Sequence, residues 1–294
     1  MFSYRHSFHA GNHADVLKHL SQMLLIEKLK LKDKGFVYID THSGAGLYDL
    51  SSEQAQKTNE YQQGITRIAD YAGDNKTLNQ YVALVNEYQR HQLYPGSPEI
   101  ARALMRQQDK LILMEWHNHE IDNLRRNLKA NNVAIHHRDG FEGLLAMTPP
   151  ALPRGLVLID PPYEVATEYQ QVSDTVAKAC KKFSNGIFAI WYPLIAERSD
   201  KDPINSSTKS KTGKSERLLA DLAAQPFKSL LRVELCVTDK QQGVGMYGSG
   251  LAIINAPWQF DSEIQLALSE LTPLLAQSDT ASYKVEWLIA ESGN

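Results

Sequence analysis

Cysteine is scarce in this chain. Only Cys180 and Cys236 occur in 294 residues. Two isolated thiols give neither metal-ligand spacing nor a disulfide framework, so no metal is expected and the setting reads as reducing. Long apolar runs are also missing, and nothing approaches the roughly 18 consecutive residues of a membrane span. The opening Met1-Phe2-Ser3-Tyr4-Arg5-His6-Ser7-Phe8-His9 lacks the apolar core of a signal peptide. A cytoplasmic protein without membrane association is therefore expected. Net charge is small as well: 31 Lys and Arg against 34 Asp and Glu leave −3. Such a balance argues against non-specific coating of nucleic acid but leaves room for a locally basic face. Candidates for that face are the N-terminal Arg5, Lys18, Lys28 and Lys30, and a Lys/Ser/Thr-rich stretch near 199–217. No internal repeat appears.

What is present reads as a soluble globular protein, with a hydrophobic fraction of 43% and a charged fraction of 22%. Apolar positions at helical spacing from Asn12 to Leu31 predict a helix feeding a first strand, Phe36 to Asp40. Further strands are expected at Leu111–Glu115, Ala134–His137, Gly155–Asp160 and Gly186–Tyr192, then at Leu230–Val237 and Leu251–Ile254. Helical stretches separate most of them. Such alternation, with near-continuous apolar strands, means a mostly parallel sheet covered on both faces. The last two strands should form an antiparallel pair at a sheet edge. Between about 49 and 108 the rhythm breaks into polar helical sequence, read as a helical insertion within a single domain spanning 1–294.

Asp160-Pro161-Pro162-Tyr163 follows the buried run Gly155 to Ile159. Two prolines turn the chain rigidly and remove N–H donors, leaving carbonyl acceptors beside a carboxylate and an aromatic face. That combination suits a planar ring carrying an exocyclic amine: Asp160 and the Pro161 carbonyl take its hydrogens while Tyr163 stacks on the ring. Gly44-Ala45-Gly46 follows the first strand as a nucleotide-binding turn should. The third glycine of the dinucleotide fingerprint is absent, in keeping with a cofactor that has no pyrophosphate. Acids end successive strands at Asp40, Glu115, Asp139 and Asp160, and all should face the same edge of the sheet. Any one of them is equally an ordinary helix cap; the series in register is what points to a ligand site. The seven-strand pattern, ending in an antiparallel pair, resembles the Rossmann-like class I S-adenosylmethionine-dependent methyltransferases.

The segment from Tyr4 through Asn12 to His19 closely resembles the RlmJ family of 23S ribosomal RNA adenine-N6 methyltransferases. So do Asp40-Thr41-His42-Ser43-Gly44-Ala45-Gly46, Tyr94-Pro95-Gly96-Ser97-Pro98, the Asp-Pro-Pro-Tyr run and Trp191-Tyr192-Pro193. The likeness weakens only around 199–217. It implies S-adenosylmethionine contacts from His19, His42, Gly44, Ser97, Glu115, Asp139 and Gly140. It also implies Asp160, Pro161 and Tyr163 in catalysis, and Tyr4, His6 and Lys18 against the RNA. The partner implied is 23S ribosomal RNA before full 50S assembly, met by a monomer.

The expected chemistry is flipping of an adenine into the slot, followed by attack of its N6 on the sulfonium methyl. Three alternatives stand beside it. A DNA adenine-N6 methyltransferase would share the tetrapeptide and fold, and a guanine-N2 methyltransferase of ribosomal RNA can use the same tetrapeptide. The third is a non-enzymatic nucleic-acid binder in DNA uptake or utilisation.

Overall fold

The computed structural model describes residues 5–196, 213–240 and 245–290. Tyr4 and most of the basic stretch near 199–217 lie outside them. A 3-10 turn at His6–Phe8 precedes α1 (His13–Lys30), β1 (Val37–Asp40) and β2 (Leu47–Asp49). Next come α2 (Glu53–Thr58), a 3-10 turn at Glu60–Gln63, α3 (Ile65–Ile68), α4 (Lys76–Gln89), β3 (Leu93–Pro95) and α5 (Ser97–Leu104). Regular alternation follows: β4 (Lys110–Glu115), α6 (Asn118–Asn127), β5 (Val133–His137), α7 (Gly140–Met147), β6 (Gly155–Ile159), α8 (Glu168–Lys182) and β7 (Ile187–Ile195). The remaining elements are α9 (Lys214–Ala223), β8 (Leu230–Cys236), β9 (Met246–Ile254), α10 (Phe260–Leu275) and β10 (Ser282–Ile289).

Eight strands form one sheet in the order β10-β8-β9-β7-β6-β1-β4-β5. Pairing is parallel from β7 through β6, β1 and β4 to β5, and antiparallel among β7, β9, β8 and β10. The five residues of β6 are all buried. Leu156 and Leu158 point into the core on one face, while Val157 and Ile159 join the core on the other. A strand apolar on both sides is what helices on both faces of a parallel sheet require. Strand order reverses at β1, which lies between β4 and β6, so a crevice opens at the carboxyl ends of these three strands.

Helix α1 crosses one sheet face over β6, β7 and β9 and packs on α4, α5 and α10. It is buried on nearly every side, polar residues included. Asn12 caps it, with Oδ1 accepting from the Ala14 and Asp15 N–H groups at 3.0 Å each. Its buried Asp15, Lys18, His19 and Gln22 must find partners inside the protein, and those partners build the site.

Two strand expectations are corrected. The expected seven-strand sheet has eight, and the β8–β9 pair does not form its edge. β9 lies between β7 and β8, and the edge is β10. β10 alternates Lys284 and Glu286 with Val285 and Trp287, an exposed, charged edge with a weak apolar signal. β9 begins at Met246, earlier than its apolar run, because Gly248 and Gly250 are strand residues in tight quarters. A Cβ on Gly250 would stand 2.4 Å from Cζ of the Tyr192 ring. Gly250→Ala is expected to lower stability by about 1–3 kcal/mol through this overlap. Urea unfolding checks it: the midpoint falls and the slope stays constant.

Candidate active site

The turn after β1 is built around a buried carboxylate. Asp40 is fully buried, and its Oδ2 accepts from the Tyr38 hydroxyl at 2.9 Å and the Ser97 hydroxyl at 2.7 Å. Its Oδ1 accepts from the His42 N–H at 3.2 Å. Burial pushes Asp40 up to about 6, although the Ser97 and Tyr38 donors pull the other way. Gln22 of α1 donates to the Tyr38 hydroxyl at 3.1 Å and to the Ser97 carbonyl at 2.7 Å, joining α1, β1 and α5.

Glu115, at the end of β4, holds the glycine turn. Its Oε2 accepts from the Gly44 N–H at 2.8 Å and its Oε1 from the His117 N–H at 2.6 Å. Gly44 adopts φ +57°, and a Cβ there would stand 2.1 Å from the Tyr48 hydroxyl, so glycine is required. Asp139 caps α7 through Oδ1, which accepts from Phe141 and Glu142 N–H at 2.9 Å each. At Gly140 a Cβ would stand 2.1 Å from the Thr41 carbonyl oxygen. His42 lies edge-on to Phe141, with ring centroids 5.2 Å apart.

Asp160 follows β6. Its Oδ2 lies 2.5 Å from Lys18 Nζ, and Asp15 Oδ1 lies 2.8 Å from the same nitrogen. Burial would depress the lysine, but the two carboxylates outweigh it and hold the ammonium above its ordinary range. Pro161 and Pro162 carry the chain to Tyr163, whose φ of +49° is left-handed, unusual for a tyrosine. The Tyr163 hydroxyl donates to the Trp191 carbonyl at 2.8 Å, and its ring packs on Tyr169 with centroids 4.3 Å apart. These contacts fix a backbone geometry that costs on the order of 1–3 kcal/mol.

One cavity of about 580 Å³ opens over these strand ends. Every residue that the family resemblance assigns to cofactor, base or RNA lines it, except Tyr4, which lies outside the described residues; Lys28 and Lys30, candidates for a basic face, instead pair with Glu263 and Glu27. His6 and Lys18 are there, but in this conformation both are bound to Asp15. His19 donates or accepts at Nδ1 with the Tyr94 hydroxyl at 2.7 Å. Its Nε2 has no hydrogen-bond partner among the described residues.

Asp15 and Glu60 were not picked out as site residues in the sequence. Asp15 carried a signal, an acid three residues before Lys18 on one helix face. Glu60 carried none. It accepts from Asn12 Nδ2 at 2.9 Å and pairs with His9 Nδ1 at 2.8 Å across a long stretch of chain.

The cavity suits S-adenosylmethionine on its own geometry. Side chains are excluded where Gly44 and Gly140 line it, and Glu115, Asp139 and Asp160 line it from the ends of β4, β5 and β6, while Asp40, expected to face the same edge, is enclosed behind the turn. His19 presents a buried nitrogen with no hydrogen-bond partner among the described residues. Together with the strand order, this defines a Rossmann-like class I S-adenosylmethionine-dependent methyltransferase. A family model described as "Ribosomal RNA large subunit methyltransferase D, RlmJ" matches residues 33–289. The chain belongs to this RlmJ family. It is 42% identical to the Ribosomal RNA large subunit methyltransferase J of Escherichia coli K12, covering 99% of this chain and 100% of that one. The protein of the same name from Haemophilus influenzae Rd is 40% identical with the same coverage. A crystal structure of a Legionella pneumophila protein superposes with a TM-score of 0.82 at 35% identity, over 95% of this chain and 98% of that one.

Three histidines at this end of the molecule are kept neutral by burial, with His13 held down to about 4, His19 to about 3 and His42 to about 4. Their folded values lie below the unfolded one. Each therefore contributes stability that is present above pH 6.5 and lost as pH falls towards 4, of order 3 kcal/mol apiece. Urea midpoints should drop steeply from pH 6.5 to 5. His42→Asn should flatten the slope by about one proton.

Proposed function

We propose that this chain transfers the methyl group of S-adenosylmethionine to the exocyclic N6 of an adenine in 23S ribosomal RNA. The base would be flipped out of its stack into the slot between Asp160-Pro161-Pro162-Tyr163 and Trp191. The observation that carries this reading is the partner of Asp160. Its carboxylate already holds an amine nitrogen, that of Lys18, at 2.5 Å inside the cavity shared with the glycine turn. A carboxylate placed to receive N–H donors there is what an adenine amino group needs. That the relatives are ribosomal RNA large subunit methyltransferases points to RNA as the bearer of that adenine.

S-adenosylmethionine, which His19, His42, Gly44, Ser97, Glu115, Asp139 and Gly140 would hold, would supply a methyl group already activated on a positively charged sulfur. The chain's own residues do the rest. The Asp160 carboxylate and the Pro161 carbonyl accept the two N6 hydrogens, and this draws the nitrogen's lone pair out of conjugation with the ring. Asp160 then takes the proton released when nitrogen becomes methylated. Tyr163, locked to the Trp191 carbonyl, fixes the wall of the slot, so positioning supplies much of the rate. His6 and Lys18 line the same cavity and would meet the RNA, a role the resemblance also gives Tyr4, which lies outside the described residues. Unstacking the base costs a few kcal/mol, least in RNA not yet packed into a ribosome. That favours 23S RNA ahead of complete 50S assembly as the substrate, met on this reading by a monomer in the cytoplasm.

Two measurements test this. Labelled methyl should pass from S-adenosylmethionine to protein-free 23S transcript and be recovered as N6-methyladenosine. Label confined to duplex DNA, or recovered as N2-methylguanosine, would overturn the proposal. Asp160→Ala should cut transfer about 1,000-fold while cofactor affinity stays within about threefold. Full turnover by that variant would contradict the assigned role.

A further inference from the structure

The proposed reaction leaves one difficulty. Asp160 must accept hydrogens from the substrate amine, yet its Oδ2 is taken by Lys18. The Lys18 side chain is only 6% exposed, and a buried ammonium without a counter-charge is costly. If Asp160 were its sole partner, drawing that carboxylate away would strand the charge.

Asp15 removes the difficulty. Its Oδ1 lies 2.8 Å from Lys18 Nζ, so the ammonium has a second carboxylate on the same helix one turn away. Its Oδ2 accepts from the Gly11 N–H at 2.8 Å and pairs with His6 Nε2 at 2.9 Å. One carboxylate thus holds both Lys18 and His6, cavity-lining residues of the N-terminal segment, at a site 2% exposed. We infer that Asp15 is a positioning residue for methyl transfer. It keeps Lys18 paired inside the protein when the substrate amine takes over Asp160, and it sets His6 in register with that lysine. This rests on the methyl-transfer reading above.

Asp15 also helps start α1 through Gly11, so a purely structural role has to be told apart. In Asp15→Asn, the side-chain oxygen still accepts from Gly11, but the second negative charge is gone and Lys18 is left locked on Asp160. The expected result is a kcat about 10- to 100-fold lower, with KM for the RNA within about threefold and cofactor affinity within about twofold. Asp15→Glu restores the charge and should recover at least about tenfold of the loss. A kcat for Asp15→Asn within about twofold of the unsubstituted protein overturns the inference, as does a Glu variant no faster than the Asn variant. Should Asp15→Asn not fold, Asp15→Glu decides alone: a kcat within about tenfold of the unsubstituted protein upholds the role, and a greater loss overturns it. Absence of transfer by the unsubstituted protein sinks the methyl-transfer reading itself. Normal transfer with an indifferent Asp15→Asn sinks only this one.

Discussion

A single buried ammonium joins the two halves of the site. Lys18 Nζ sits between Asp15 on its own helix and Asp160 at the end of β6, far away in sequence. Burying three charges is unfavourable unless each is matched closely, so α1 must lie over the sheet in one register. That register brings Gln22 to Tyr38 and His19 to Tyr94, and through them fixes the glycine turn and the start of α5. Helix α1 is covered on almost all sides, and its polar residues are tolerated only because they are components of this network.

The acids at the strand ends act first as builders. Glu115 gives both oxygens to backbone N–H groups, and Asp40 is wholly enclosed by hydroxyls and an amide. They hold the backbone that shapes the cavity. Positioning of this sort is set at folding and need not be paid for when ligand arrives, a form of preorganisation.

Much of the fold was legible because β6, β1 and β4 carry unbroken apolar runs, each followed closely by an acid. Apolar periodicity and turn residues are local properties, and β/α alternation makes their spatial order nearly compulsory. β10 escaped because an edge strand needs only one covered face, and its charged alternation looks like surface. The glycines of β9 looked like a loop because their value lies in what they let the neighbouring strands and Tyr192 do. At the site, the Asp-Pro-Pro-Tyr run, the glycine turn and the strand-end acids could be located from sequence, since their neighbours in the chain define them. The pairing of Lys18 with Asp160, and of Glu60 with His9, joins residues that only the folded chain brings together. Helical spacing put Asp15 beside Lys18, but nothing in the spacing said that both would be buried.

The short ribbon of β2 and β3 has a wider meaning. Leu47 pairs with Pro95, and the Gly96 N–H donates to the Gly46 carbonyl at 2.9 Å, so the chain leaves the glycine turn and returns beside it. Everything between is an excursion with its two ends fastened together. Lengthening or trimming its outer helices would not move Ser97, provided the ribbon stays closed. The molecule thus has a port for exchanging sequence on the outward side of that excursion, while its inner side, where Glu60 lines the cavity and α4 packs on α1, stays tied to the site.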